Sequence, residues 1–72
     1  MCLAQNLKYL REQKGLRIFD IARFVDLGER TVATWEQGIR TPRIKTLVQL
    51  ADFFGVTLDQ LVKQDLSKEV SG

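Results

Sequence analysis

The stretch from Phe19 to Gly38, FDIARFVDLGERTVATWEQG, decides the fold of this 72-residue chain. It reads as two short helices joined by a tight turn. Ile21, Ala22 and Val25 recur at helical spacing on the first helix, and Val32 and Trp35 do so on the second. Between them Asp26-Leu27-Gly28 cannot extend a helix comfortably, because Asp and Gly both favour turn conformations. Two helices this short bury too little surface to stand alone. The rest of the chain is therefore expected to clamp them and to hold the second out as a probe for another molecule.

Upstream, Leu3, Leu7 and Leu10 share one helical face and Gly15 stops the run, which predicts helix one at about 3–13, followed by Leu16 turning inward. Helix two is expected over about 18–25, with Phe24 partly inward. Its start carries Arg17 where Ser, Thr, Asp or Asn would cap better, and Asp20 offsets this by favouring the positive end of the helix dipole. Helix three runs from about Glu29 to Glu36 and leaves Glu29, Arg30, Ala33 and Thr34 looking outward. Pro42 fits the opening of helix four, where its missing N–H is not needed. The apolar stripe of that helix is Ile44, Leu47, Val48, Leu50 and Ala51, extended by Phe53 or Phe54 and closed by Gly55. Thr57 and Gln60 form a capping box for helix five, about 57–64, which buries Leu58, Leu61 and Val62. The expected fold is all-α, a compact five-helix bundle in one domain over 1–64, with 65–72 as a helix extension, a tail or the start of a linker. Leu66 and Val70 continue the spacing of Leu58 and Val62, a stripe that outlasts the core it serves.

Composition narrows the function. Hydrophobic residues make up 44% and charged residues 28%, which is ordinary for a folded domain. One cysteine, Cys2, cannot build a disulfide framework, and without any histidine the common zinc arrangements and the Ser-His and Cys-His nucleophile pairs are absent. No catalysis, metal or cofactor is expected. Neither a membrane-length apolar run nor a signal-peptide pattern occurs, so the expected location is the cytoplasm. Residues 1–45 hold nine Lys/Arg against five acids, whereas 46–72 hold two against four. A basic front and an acidic back suggest one face for a polyanion and another for something else.

With LKYLREQKGL, IARFV, TVATWEQG and TPRIKTLVQLADFFGVTLDQL in place, the chain resembles the phage repressor and Cro-like helix-turn-helix family, also called the xenobiotic-response-element family, from about Leu7 to Leu61. The resemblance implies a lambda-repressor-like DNA-binding domain that acts as a sequence-specific transcriptional regulator, a repressor, with helix three in the major groove of double-stranded DNA. By similarity, bases would be met by Glu29, Arg30, Ala33 and Thr34. Arg30 suits guanine, whose two acceptors match its planar fork, and Ala33 suits a thymine methyl group. Phosphates would be met by Arg17, Ile18, Gln37, Arg40, Thr41 and Arg43, and an Arg11–Glu36 salt bridge would join helix one to the end of helix three. Such domains usually bind palindromic operators as homodimers, here through Leu58, Val62, Leu66 and Val70. The alternative expectation is a protein-interaction module, such as an antitoxin or accessory subunit, that keeps the helix-turn-helix as a scaffold.

The chain also departs from the family pattern. Arg17-Ile18 stands where Ser-Gln is common, Asp26 replaces a turn glycine, Gly28 a serine before helix three, and Arg43 a serine after the proline. Two helix starts thus exchange a cap for a cation. Arg17→Ser or Arg43→Ser is expected to add about 1 kcal/mol of stability, raising Tm while weakening DNA binding, with thermal melts and a DNA titration as the check.

Overall fold

The computed structural model describes residues 2–66 and places five helices there: α1 (Leu3–Gln13), α2 (Ile18–Val25), α3 (Glu29–Glu36), α4 (Ile44–Phe54) and α5 (Leu58–Lys63). Among the described residues there is no strand, and no helix is long and apolar enough to cross a membrane. Thr57 and Gln64 are the caps of α5 rather than its end residues.

The first four helices stop in the same way. A left-handed residue follows each, Gly15, Asp26, Gly38 and Gly55, with φ of 67°, 59°, 75° and 70°. Its N–H and the next one fold back onto the last turn: Gly38 to Trp35 and Ile39 to Thr34 close α3, while Asp26 to Arg23 and Leu27 to Ala22 close α2. Asp26 alone among these four carries a side chain, for which the left-handed conformation costs roughly 1 kcal/mol. Helix starts are less uniform. Thr57 and Gln60 exchange both bonds of a capping box, at 3.0 and 2.9 Å. In α2 only half of one forms: Asp20 Oδ2 accepts the Arg17 N–H at 2.8 Å, and a guanidinium has no acceptor with which to return the bond.

The core is built from all five helices: Leu3 and Leu7, Ile21 and Ala22, Val32 and Trp35, Leu47, Leu50, Ala51 and Phe54, and Leu61. Three expected core positions lie outside it. Ile44 is 65% and Val48 43% exposed, because α4 buries a single flank and these two lie on its shoulder. Phe24 is exposed as well and lays its ring against Phe53 at 4.5 Å between centroids instead of entering the core. Pro42 lies one residue ahead of the α4 cap, Arg43, rather than inside the first turn, and it is buried.

Leu66 is 8% exposed, so it packs into the monomer as an extension of the bundle instead of standing free as a dimer contact. The cause is Asn6, a fully buried polar residue in the Leu3/Leu7/Leu10 stripe. Its Nδ2 donates to the carbonyls of Leu61 and Gln64 at 2.8 and 2.6 Å, and its Oδ1 accepts the Leu66 N–H at 3.1 Å. A buried amide left unsatisfied costs about 1–3 kcal/mol, so α1 holds the end of α5 and the residues after it in place. Val70 lies outside the described residues.

The expected Arg11–Glu36 pair forms. Arg11 Nε and Nη2 donate to the two Glu36 carboxylate oxygens at 2.8 and 3.1 Å, and Nη1 donates to the Leu16 carbonyl at 2.9 Å. The side chains are only 14% and 8% exposed. The hydrogen bond to Glu36 raises the Arg11 pKa above its already high ordinary value, against burial, which lowers it. A raised folded-state pKa keeps this contribution fully present below the unfolded guanidinium range and loses it only in strong alkali.

Asp26→Gly is expected to raise stability by about 1 kcal/mol, or roughly 4–8 °C in Tm. Glu36→Gln is expected to cost about 3 kcal/mol by leaving Arg11 charged and unpaired, whereas joint replacement, Arg11→Met with Glu36→Leu, recovers most of that loss in denaturant titration.

Candidate nucleic-acid interface

Helix α3 is oriented by its own two faces. Val32 and Trp35 are buried and Glu36 is held by Arg11, so the opposite side must look outward. Arg30 and Glu29 are exposed there, at the start of the helix. Ala33 and Thr34, expected to look outward equally, are half-buried. The Thr34 hydroxyl donates to the Thr31 carbonyl at 2.6 Å. Its hydrogen is therefore occupied, and toward a ligand Thr34 can act only as an acceptor.

Of the expected phosphate contacts, Arg17, Gln37, Arg40, Thr41 and Arg43 are exposed. Ile18 is not of this kind: its side chain packs against the core, leaving at most its backbone to meet a ligand. Arg17 caps α2 and Arg43 caps α4, and neither side chain accepts a bond from its helix. The Schellman closure at Gly38 turns the chain so that the Arg40 N–H also donates to the Thr34 carbonyl, at 3.2 Å. The loop carrying Arg40 is thereby tied to the last turn of α3. Among the described residues the ion pairs are Arg11–Glu36 and Lys63–Asp59, so Arg17, Arg30, Arg40 and Arg43 have no acidic partner there.

A groove of about 650 Å³ runs between α3 and the N-terminal half of α4. Val25, Leu27, Trp35 and Pro42 form its apolar lining, and Thr31, Arg40, Thr41, Arg43, Lys45, Thr46 and Gln49 its polar lining. None of these residues is acidic. Lys45, Thr46 and Gln49 line the groove by lying on the flank of α4 away from its apolar stripe, a placement that their spacing in the sequence carries. Among the described residues no group of three or more His, Cys, Asp or Glu could hold a metal ion.

The fold that carries this surface is one that other proteins share. Residues 7–61 match a protein family described as Helix-turn-helix. The chain is 33% identical over 63 residues to the HTH-type transcriptional regulator DdrOP3 of Deinococcus deserti, covering 88% of this chain and 49% of that protein. It is 29% identical over 59 residues to the cryptic phage CTXphi transcriptional repressor RstR of Vibrio cholerae, covering 82% and 53%. The chain thus spans about half the length of the curated relatives it matches. In three dimensions it superimposes with a TM-score of 0.80 on the crystal structure of a transcriptional regulator from Listeria innocua, at 33% identity, over 96% of this chain and 70% of that one. By sequence over 55 residues and by fold over nearly its whole length, the chain belongs to the helix-turn-helix family.

Proposed function

We propose that this chain is a sequence-specific double-stranded-DNA-binding transcriptional regulator, a repressor, working in the cytoplasm without catalysis. The observation that carries the reading is the mounting of α3. Its inner face is fixed by Val32, Trp35 and the Arg11–Glu36 pair, its outer face presents Arg30 at the N-terminal end, Arg40 and Arg43 line the groove beside it, and Arg17 stands exposed at the start of α2. A helix presented in this way fits a major groove about 12 Å wide, where each base pair shows its own donor and acceptor pattern. The relatives named as regulators and as a phage repressor support the same reading.

Roles within the site follow from side-chain chemistry. Arg30 reads guanine through both of its acceptors. Thr34 accepts from an amino group, Ala33 meets a thymine methyl, and Glu29 accepts from a cytosine amino group or serves the helix start alone. Arg17, Arg40 and Arg43 clasp phosphates, with Gln37, Thr41 and the Ile18 backbone beside them. Two copies bind a palindromic operator. With Leu66 committed to the monomer, their shared surface draws on the half-buried Leu58 and Val62, and Ile44 and Val48, exposed one turn apart on α4, offer further apolar area.

Selection of bound sequences from a random duplex pool is expected to return an inverted repeat with half-sites roughly 34–36 Å apart. In the same assay Arg30→Ala is expected to relax the preference at one position per half-site, at a cost of about 1–3 kcal/mol of discrimination. A pool without enrichment, together with binding insensitive to salt, would instead favour a protein-interaction module such as an antitoxin or accessory subunit.

A further inference from the structure

We propose that Asn6 is a positioning residue for paired DNA binding: it fixes the face of α5 that two copies share and so, through α1, the separation of their two reading helices. The inference rests on the reading that two copies bind one operator, and it gives a role to a buried amide that lies outside the DNA surface.

Three observations carry it. The first is that α5 ends unlike the other helices. Its cap, Gln64, is extended, with φ −82° and ψ 149°, and no left-handed residue follows among the described residues to fold the chain back onto the last turn. The carbonyls that such a closure would satisfy are met from α1 instead: Leu61 and Gln64 by the Asn6 amide at 2.8 and 2.6 Å, and Val62 by the Cys2 N–H at 2.9 Å. The second is that these bonds bracket the shared surface. Leu58 and Val62 lie one turn apart on α5, the Val62 carbonyl is itself held, and Asn6 Oδ1 takes the Leu66 N–H just beyond. A helix of six residues is too short to keep an orientation of its own. Apolar packing alone would let it roll or slide, whereas a buried amide satisfied as both donor and acceptor admits one register. The third is that the same α1 grips α3. Asn6 and Arg11 stand five residues apart on it, about 7.5 Å of helix rise, and Arg11 holds Glu36 at the end of α3. Helix α1 is thus a rigid bar, with the reading helix fixed at one point and the shared face of α5 at another. In a pair related by a twofold axis, a roll of α5 against α1 displaces both copies of α3 and changes the distance between them.

The test uses the full chain and the inverted repeat returned by the random-pool selection, with its single half-site and versions of the repeat whose centre is longer or shorter by one base pair. Affinity for each duplex is measured at a temperature where every variant is folded, alongside a thermal melt, for the unaltered protein, Asn6→Leu, Leu66→Ala and Leu47→Ala, the last a core truncation on α4. For Asn6→Leu the expected result is half-site affinity within about twofold of the unaltered protein, affinity for the full repeat weaker by roughly tenfold, and a smaller penalty for the altered spacings. Leu66→Ala, which loosens the same segment from its other side, should act in the same direction. Leu47→Ala should lower Tm and keep the spacing preference. Equal losses on half-site and full repeat in Asn6→Leu, or an unchanged spacing preference, would assign Asn6 to folding alone and overturn the proposal. Loss of cooperative melting in both Asn6→Leu and Leu66→Ala would do the same. A selection that returns no inverted repeat removes the paired-binding reading and this inference with it, whereas a selected repeat whose spacing preference ignores Asn6 removes the inference alone.

Discussion

Both oxygens of the Glu36 carboxylate are taken by the guanidinium of Arg11, and through this bidentate pair the last turn of α3 is fixed to α1. The same guanidinium holds the Leu16 carbonyl, so one side chain sets the end of α3 and the approach to α2 together. Five residues earlier on α1, Asn6 takes the carbonyls at the end of α5. Helix α1 is thus a splint. It presents no side chain of the reading surface, yet two of its polar groups decide where that surface points and where the bundle closes. Hydrophobic burial alone tolerates small rotations of a helix, whereas two parallel N–H···O bonds from a rigid fork do not.

The electrostatics of the helix starts show a division of labour. Arg17 caps α2, Arg30 stands in the first turn of α3, and Arg43 with Lys45 opens α4, all at dipole ends that favour anions. At α5 the pattern reverses to a full capping box with Asp59 in the first turn. Folding stability alone would choose the α5 arrangement everywhere. The starts of α2, α3 and α4 that carry cations stand beside the proposed DNA surface, and at α4, whose first turn holds no acid, a phosphate would supply the negative charge that the helix lacks.

Much of this architecture was legible in the chain. The periodic leucines, the turn residues and the Thr57/Gln60 box placed all five helices, and the Arg11–Glu36 pair followed from family resemblance. Side-chain exposure was harder to read, because periodicity says which residues share a face but not how wide a face the neighbours cover. Ile44 and Val48 belong to the stripe of α4 by spacing and yet lie beyond its packed edge. Leu66 extended the stripe of α5 by spacing and was taken into the core through a bond from sixty residues away. The half-burial of Thr34 depends likewise on a hydroxyl bond to the turn before it, a local choice that outward-face counting does not see.

The Asn6 latch also bears on how the protein is made. Its partners lie 55 to 60 positions later in the chain, so Asn6 leaves the ribosome long before the carbonyls and the N–H that satisfy it. Until residue 66 has emerged, the Asn6 amide has water in place of those partners, so its burial waits for the end of α5 and the residues after it. Synthesis at about 5–20 residues per second makes this an interval of seconds. The residues that cover Asn6 are thus among the last of the described chain to be translated.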